Sequence, residues 1–185
     1  MAVSERVKRM VRVDQAGEYG AVRIYAGQLA VMGDRGPHSA KIREMEAQEV
    51  DHRAWFDRLI VERQGRPTVL QPIWHVAGFA LGAATALIGP EAAMACTAAI
   101  ETEIDKHYTE QLAELGDEDP ELAGLIEKAR DDEREHRDTA LANGAERAPA
   151  YPLLSGAIRL GVVSPSNCRN VSKLFWLKPG MANFS

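Results

Sequence analysis

Two Glu-x-x-His pairs, Glu49-Val50-Asp51-His52 and Glu133-Arg134-Glu135-His136, each follow a lone glutamate, Glu18 and Glu101, by about thirty residues. On a helix, residues three apart share a face, so each pair can aim a carboxylate and an imidazole at one ion. Two lone glutamates and two such pairs are the ligand set of a di-iron or di-manganese carboxylate bundle. The chemistry this points to is redox metal chemistry inside an antiparallel four-helix core. A single pair would be an ordinary accident in a chain with 27 acidic residues, usually on a solvated helix face. Here the same order occurs twice.

The spacing agrees as well as the order. Glu18 and Glu101 are 83 residues apart, Glu49 and Glu133 are 84 apart, and His52 and His136 are 84 apart. Glu18 is followed by Tyr25 and Gln28, and Glu101 by Tyr108 and Gln111, at identical intervals. This pattern is a duplicated helix hairpin, whose two copies would close around one dinuclear centre with pseudo-two-fold symmetry.

To position those ligands the chain needs four long helices, and helical periodicity dominates it. A first helix is predicted from about Ser4 to Met32, ended by Gly33-Asp34-Arg35-Gly36-Pro37, and a second from about His38 to Arg63, stopped at Gly65-Arg66-Pro67. After an intervening segment, a helix is predicted from Pro90 to Leu115. The next starts at Asp119-Pro120 and runs to about Ala142, and a short one follows from Pro149 to Leu160. The expected fold is therefore all-α: a ferritin-like antiparallel four-helix bundle of two hairpins, with an apolar crossover helix and a short C-terminal helix.

The segment between the hairpins, residues 67–90, carries one titratable side chain, His75. Three readings compete for it: a crossover helix buried in the protein, a helix lying in a membrane interface, and a membrane span. The stretch Ile73 to Gly89 would be about 26 Å long as a helix, marginal against a hydrocarbon core of about 30 Å. Both hairpins must also meet at one metal centre, which weighs against a span between them. Trp74 and Phe79 suit an interface and would serve equally as core residues.

Composition narrows the function classes. With 185 residues one domain with a full core is expected, and a net charge of −5 argues against a nucleic-acid partner. Cys96 and Cys168 have neither disulfide nor zinc spacing, and Cys96, in the apolar run Ala92 to Ile100, reads as a small buried residue. The start Met-Ala-Val-Ser-Glu-Arg lacks an apolar signal core, so no targeting segment is expected there and a reducing cytoplasm fits.

The stretch Arg12-Val13-Asp14-Gln15-Ala16-Gly17-Glu18-Tyr19-Gly20-Ala21, with Arg23-Ile24-Tyr25-Ala26-Gly27-Gln28, resembles the opening signature of the demethoxyubiquinone hydroxylases. So do Gln48-Glu49 with Asp51-His52, Gly78 to Ala83, Ala93 to Thr97, His107-Tyr108, Glu133 to His136, and Ala148-Pro149-Ala150-Tyr151. The likeness covers about residues 5–161. It implies a di-iron monooxygenase that hydroxylates a polyprenyl benzoquinol late in ubiquinone synthesis, with dioxygen as co-substrate and an external reductant such as NADH. It implies that Glu18, Glu49, His52, Glu101, Glu133 and His136 bind two irons, and it selects Glu101 over nearby Glu103. On that basis Glu49 and Glu133 are assigned as bridges and Glu18 and Glu101 as terminal ligands. His107 and Tyr108 are implied as an electron or proton relay; a structural cap over the metal cavity is the other reading of Tyr108. Each ligand histidine needs an acceptor for its outer nitrogen, and Asp14, Asp51, Asp105 and Asp138 are the candidates.

The resemblance also implies a peripheral membrane protein on the cytoplasmic face of a bacterial-type inner membrane, with other ubiquinone-biosynthesis proteins as partners. Two alternatives share features of the sequence: a ferritin-like ferroxidase or peroxidase, and a non-enzymatic helical membrane-surface module.

Residues 1–161 form the expected bundle domain. From Val162 the likeness stops, and residues 162–185 are rich in Ser, Pro and Asn without helical period. The family's usual ending is a short apolar helix opening Gly-Cys-Arg. Codons that can encode Gly161 to Lys173, read in another frame, give Cys-Arg-(Phe, Leu, Ile or Val)-Ala-Ile-Lys-Leu-Ser-Glu-Arg-Ile and then a stop. The tail is therefore expected to be out-of-frame sequence, which the coding DNA tests directly.

Overall fold

The computed structural model describes residues 3–161, which hold six α-helices and no strand. They are α1 (Glu5–Met32), α2 (Ser39–Glu62), α3 (Gln71–Ile88), α4 (Pro90–Leu115), α5 (Pro120–Ala142) and α6 (Tyr151–Gly161), with a 3-10 turn at Ala145–Arg147. The ferritin-like helical bundle expected from the sequence is present. The atypical tail, with Cys168, lies outside the described residues.

Local signals set the helix ends. Ser4 caps α1 by accepting the Val7 N–H at 3.2 Å, and Asp119 caps α5 by accepting the Leu122 N–H at 3.1 Å, each satisfying a donor the first turn leaves free. Pro120 opens α5 where its missing N–H costs nothing. A single residue, Gly89, separates α3 from α4; its φ of 152° is one that a side chain would oppose.

Among the described residues the core is three apolar clusters, two of which lie at opposite ends of the bundle. One gathers Val7, Met10, Phe56, Leu59, Leu115, Leu122 and Ile126. The other gathers Tyr25, Ile42, Met45, Met94, Ala98 and Ala140. Following each helix from one cluster to the other gives its direction: α1 and α5 run one way, α2 and α4 the other. On all four, the glutamates and histidines of the repeated motif fall midway. This order also explains α3. Helix α2 ends at the first cluster and α4 begins at the second, so the chain must travel back. Eighteen helical residues span about 27 Å, the length of that return.

Helix α3 lies against α1 through glycines. A Cβ on Gly78 would sit 2.9 Å from the Gly20 carbonyl oxygen, and one on Gly82 would run into the Ile24 carbonyl. Only Gly78, Gly82, Thr85 and Ala86 of α3 are buried. Ile73, Val76, Leu87 and Ile88 are exposed, which corrects the buried-crossover reading. Packing along α1, beside a bundle to which both hairpins contribute, is likewise not the arrangement of a span that separates them.

Candidate metal centre

Burial of the predicted ligands is nearly complete: Glu49 and Glu133 are 0% exposed, Glu101 and His52 1%, and Glu18 and His136 2%. Two groups of four close to within 4.8 Å, ligand atom to ligand atom. Glu18, Glu49, His52 and Glu133 form one, and Glu49, Glu101, Glu133 and His136 the other. Glu49 and Glu133 belong to both. The rings present Nδ1 to the carboxylates: His52 Nδ1 lies 3.4 Å from Glu133 Oε1, and His136 Nδ1 lies 3.1 Å from Glu49 Oε1. Glu103, the neighbour that spacing alone could not exclude, belongs to neither group and pairs with Lys106 at 2.7 Å.

The donor set fits a pair of divalent cations. Glu18 Oε2, Glu101 Oε2, both oxygens of Glu49 and of Glu133, and Nδ1 of both histidines are buried without a hydrogen-bond partner. Buried polar atoms are almost always paired, so a cluster of orphans converging on one point marks the place of a ligand. Charge says the same. Burial raises Glu49 and Glu101 well above the ordinary carboxylate range, with Glu133 and its neighbours adding repulsion. Burial also raises Glu133. Burial pulls His52 down, but Glu133 and Glu18 outweigh it and lift the imidazole to about 11. Burial is the largest influence on Glu18 and raises it, yet His52, Glu49 and Tyr108 together draw it below the ordinary value. Four carboxylates and two imidazoles so placed ask for positive charge, and oxygen and imidazole donors suit iron or manganese.

Around the ligands the two halves exchange support. Tyr25 donates to Glu101 Oε1 at 2.6 Å, and Tyr108 donates to Glu18 Oε1. His107 does not touch the ligands; its Nε2 lies 3.0 Å from Asp14 Oδ1, and Gln111 also donates to Asp14, at 2.7 Å. The acceptors for the ligand histidines are none of the four expected aspartates. His52 Nε2 meets Asp132 Oδ2 at 3.0 Å, and His136 Nε2 meets Gln48 Oε1 at 2.7 Å. Asp51 and Asp138 are exposed, and Asp105 is held by Arg134 and Arg137 at 2.8 and 3.1 Å. The outer edge of each ring faces the other hairpin, so its acceptor must come from there. The repeat held a signal for this: Gln48 and Asp132 each precede a shared glutamate and stand 84 residues apart.

Known proteins resemble this chain in sequence. The family described as Ubiquinone biosynthesis protein COQ7 matches residues 5–164. The 3-demethoxyubiquinol 3-hydroxylase of Rhodospirillum rubrum is 58% identical over 155 residues, spanning 84% of this chain and 73% of that protein. The human mitochondrial NADPH-dependent 3-demethoxyubiquinone 3-hydroxylase is 54% identical over 159 residues, spanning 84% of this chain and 73% of its own. The yeast mitochondrial 5-demethoxyubiquinone hydroxylase is 42% identical over 167 residues, spanning 82% and 72%. A duplicated carboxylate–histidine cluster in a helical bundle, and a match running nearly the full length of that bundle, place this chain in the COQ7 family of ubiquinone biosynthesis proteins.

Proposed function

We propose that this chain hydroxylates a polyprenyl demethoxybenzoquinol in ubiquinone biosynthesis, using dioxygen at two iron ions. The observation that carries the chemistry is the buried double cluster with Glu49 and Glu133 common to both halves. Glu18 and His52 would complete one iron's protein ligands, Glu101 and His136 the other's, with Glu49 and Glu133 bridging. When bound, ferrous iron supplies the electrons that make dioxygen reactive toward the electron-rich quinol ring.

The residues around the ligands have separate tasks. Tyr25 and Tyr108 hold Glu101 and Glu18 in place through their hydroxyls. His107 is half-buried and Tyr108 is buried beside it, their ring centres 5.5 Å apart. That path from the surface to Glu18 supports a relay of protons or electrons through His107 and Tyr108. The apolar residues that flank the site at both ends of the bundle exclude water from it.

A polyprenyl substrate resides in a bilayer. Helix α3 turns Ile73, Val76, Leu87 and Ile88 outward, and Val69 just before it is also exposed. This face supports peripheral docking on a membrane, with α3 lying in the interface. For a bacterial-type chain that membrane is the inner one, at its cytoplasmic face. Electrons would come from a reduced nicotinamide, NADH or the NADPH named for the human relative, and other ubiquinone-biosynthesis proteins are the expected partners.

The test is to load the protein with ferrous iron anaerobically, then add oxygen-18 dioxygen, a reductant and a short-chain demethoxyquinol. A product carrying one labelled oxygen supports the hydroxylase. Iron oxidation without labelled product would point to a ferroxidase instead.

A further inference from the structure

The repeat that builds the metal centre is broken at one pair of equivalent positions, and the break bears on each ligand histidine. Gln48 and Asp132 are related by the same 84-residue interval that relates Glu49 to Glu133 and His52 to His136. Each reaches across to the other hairpin and meets the Nε2 edge of its histidine, Gln48 at 2.7 Å from His136 and Asp132 at 3.0 Å from His52. Since Nδ1 of both rings faces the carboxylates, Nε2 carries the proton and donates it outward. The geometry is the same on both sides. The acceptor is a neutral amide on one and a carboxylate on the other.

A carboxylate acceptor draws the ring proton and makes the opposite nitrogen a stronger donor; an amide oxygen does this far less. Lys128 lies 2.8 Å from Asp132 Oδ2 and pairs with it as a salt bridge. A second break in the repeat points the same way. Asp14, one turn before Glu18, corresponds at the 83-residue interval to Thr97, one turn before Glu101. Both are buried, and only Asp14 can carry charge. At these two pairs of positions the acidic residue belongs to the Glu18–His52 half.

We infer that the two metal subsites are chemically distinct: Asp132 makes the Glu18–His52 subsite the stronger donor, and Gln48 leaves the Glu101–His136 subsite the weaker. Asp132 and Gln48 are positioning residues, acting through the histidines they hold. The inference rests on the proposed two-iron reading of the centre. Its consequence is order: the Glu18–His52 subsite fills first and better supports the more oxidised ion.

Anaerobic titration of the full chain with iron-57 as ferrous ion, followed by Mössbauer spectroscopy, tests it. The wild-type chain should bind two irons in two resolved steps and show two unequal ferrous environments. Asp132→Asn keeps an acceptor but removes the charge, so the tighter step should weaken roughly tenfold or more while the second holds, and the environments should converge. Gln48→Glu should tighten the weaker step, which keeps the inference testable if the first variant folds poorly. Two irons in one environment in the wild type, or steps and spectra unmoved by both variants, would overturn the inference and leave the two-iron reading standing. Absence of bound iron in the wild type would overturn both.

Discussion

Glu49 and Glu133 are wholly buried with both carboxylate oxygens unpartnered, a placement that costs the folded chain unless a cation joins them. Two predictions follow from their shared position. Glu133→Gln should weaken iron at both subsites, whereas Glu101→Gln should weaken chiefly one, and iron per chain after gel filtration distinguishes them. The metal-free Glu133→Gln variant should also melt higher than the metal-free parent, because it removes repulsion and desolvation together. The pH dependence has a definite sign. Glu49, Glu101 and Glu133 are raised above their ordinary value of 4.5, so their contribution to stability is full below that value and is lost as pH rises through the raised ones. His52, lifted from 6.5 to about 11, contributes fully below 6.5 and loses that contribution progressively as pH rises from 6.5 to about 11. Glu18 is lowered, so its contribution holds above 4.5 and fades only as pH falls through its lowered value. His136, lowered chiefly by burial, opposes the loss from the raised groups only up to 6.5, so with the raised carboxylates and the raised His52 thermal melting of the metal-free protein should fall between pH 6.5 and pH 8. Saturating ferrous iron should reverse the trend, because binding displaces protons. Metal-free melting temperatures that rise over this range would refute the electrostatic picture.

At the scale of elements, the contact between α1 and α3 leaves no room for a side chain. Gly82→Ala should destabilise the fold by about 1–3 kcal/mol by forcing those backbones apart, while Gly17→Ala, in the same bundle but facing open space, should stabilise α1 by about 0.5–1 kcal/mol. Chemical denaturation of the two variants reads both. Asp119→Ala should cost about 1 kcal/mol through the lost cap, and more through Arg63, whose Nε lies 3.0 Å from Asp119 Oδ2 and ties the end of α2 to the start of α5. Element boundaries were legible where glycine and proline punctuate the chain: α4 begins at Pro90 and ends at Leu115, and α5 begins at Pro120 and ends at Ala142, where the sequence puts them. The short last helix starts at Tyr151 rather than Pro149, since Ala150 takes a φ of 50° that interrupts the helix there. The glutamates and histidines that cluster were legible because their spacing is a property of single helices. Asp132 and Gln48 were legible only as an equivalent pair in the repeat; which histidine each meets depends on the register of another helix, which no local pattern encodes. Composition likewise shows that α3 is apolar but not which face stays uncovered.

For the molecule as a whole, the returning helix has two jobs: it brings the chain back so that the second hairpin can start, and it carries an apolar face that the bundle does not cover. Ile73→Glu with Val76→Glu should abolish co-sedimentation with phospholipid vesicles while leaving iron stoichiometry unchanged, since neither residue touches the centre. Vesicle binding that survives the pair would move the docking surface elsewhere. The duplicated hairpins make the stronger demand, that one chain holds a dinuclear centre with ligands from both halves. Anaerobic ferrous titration with elemental analysis of the washed protein tests this most directly. Two irons per chain, both weakened by Glu133→Gln, are predicted; one iron, or two that are indifferent to Glu133, would contradict a centre shared between the halves.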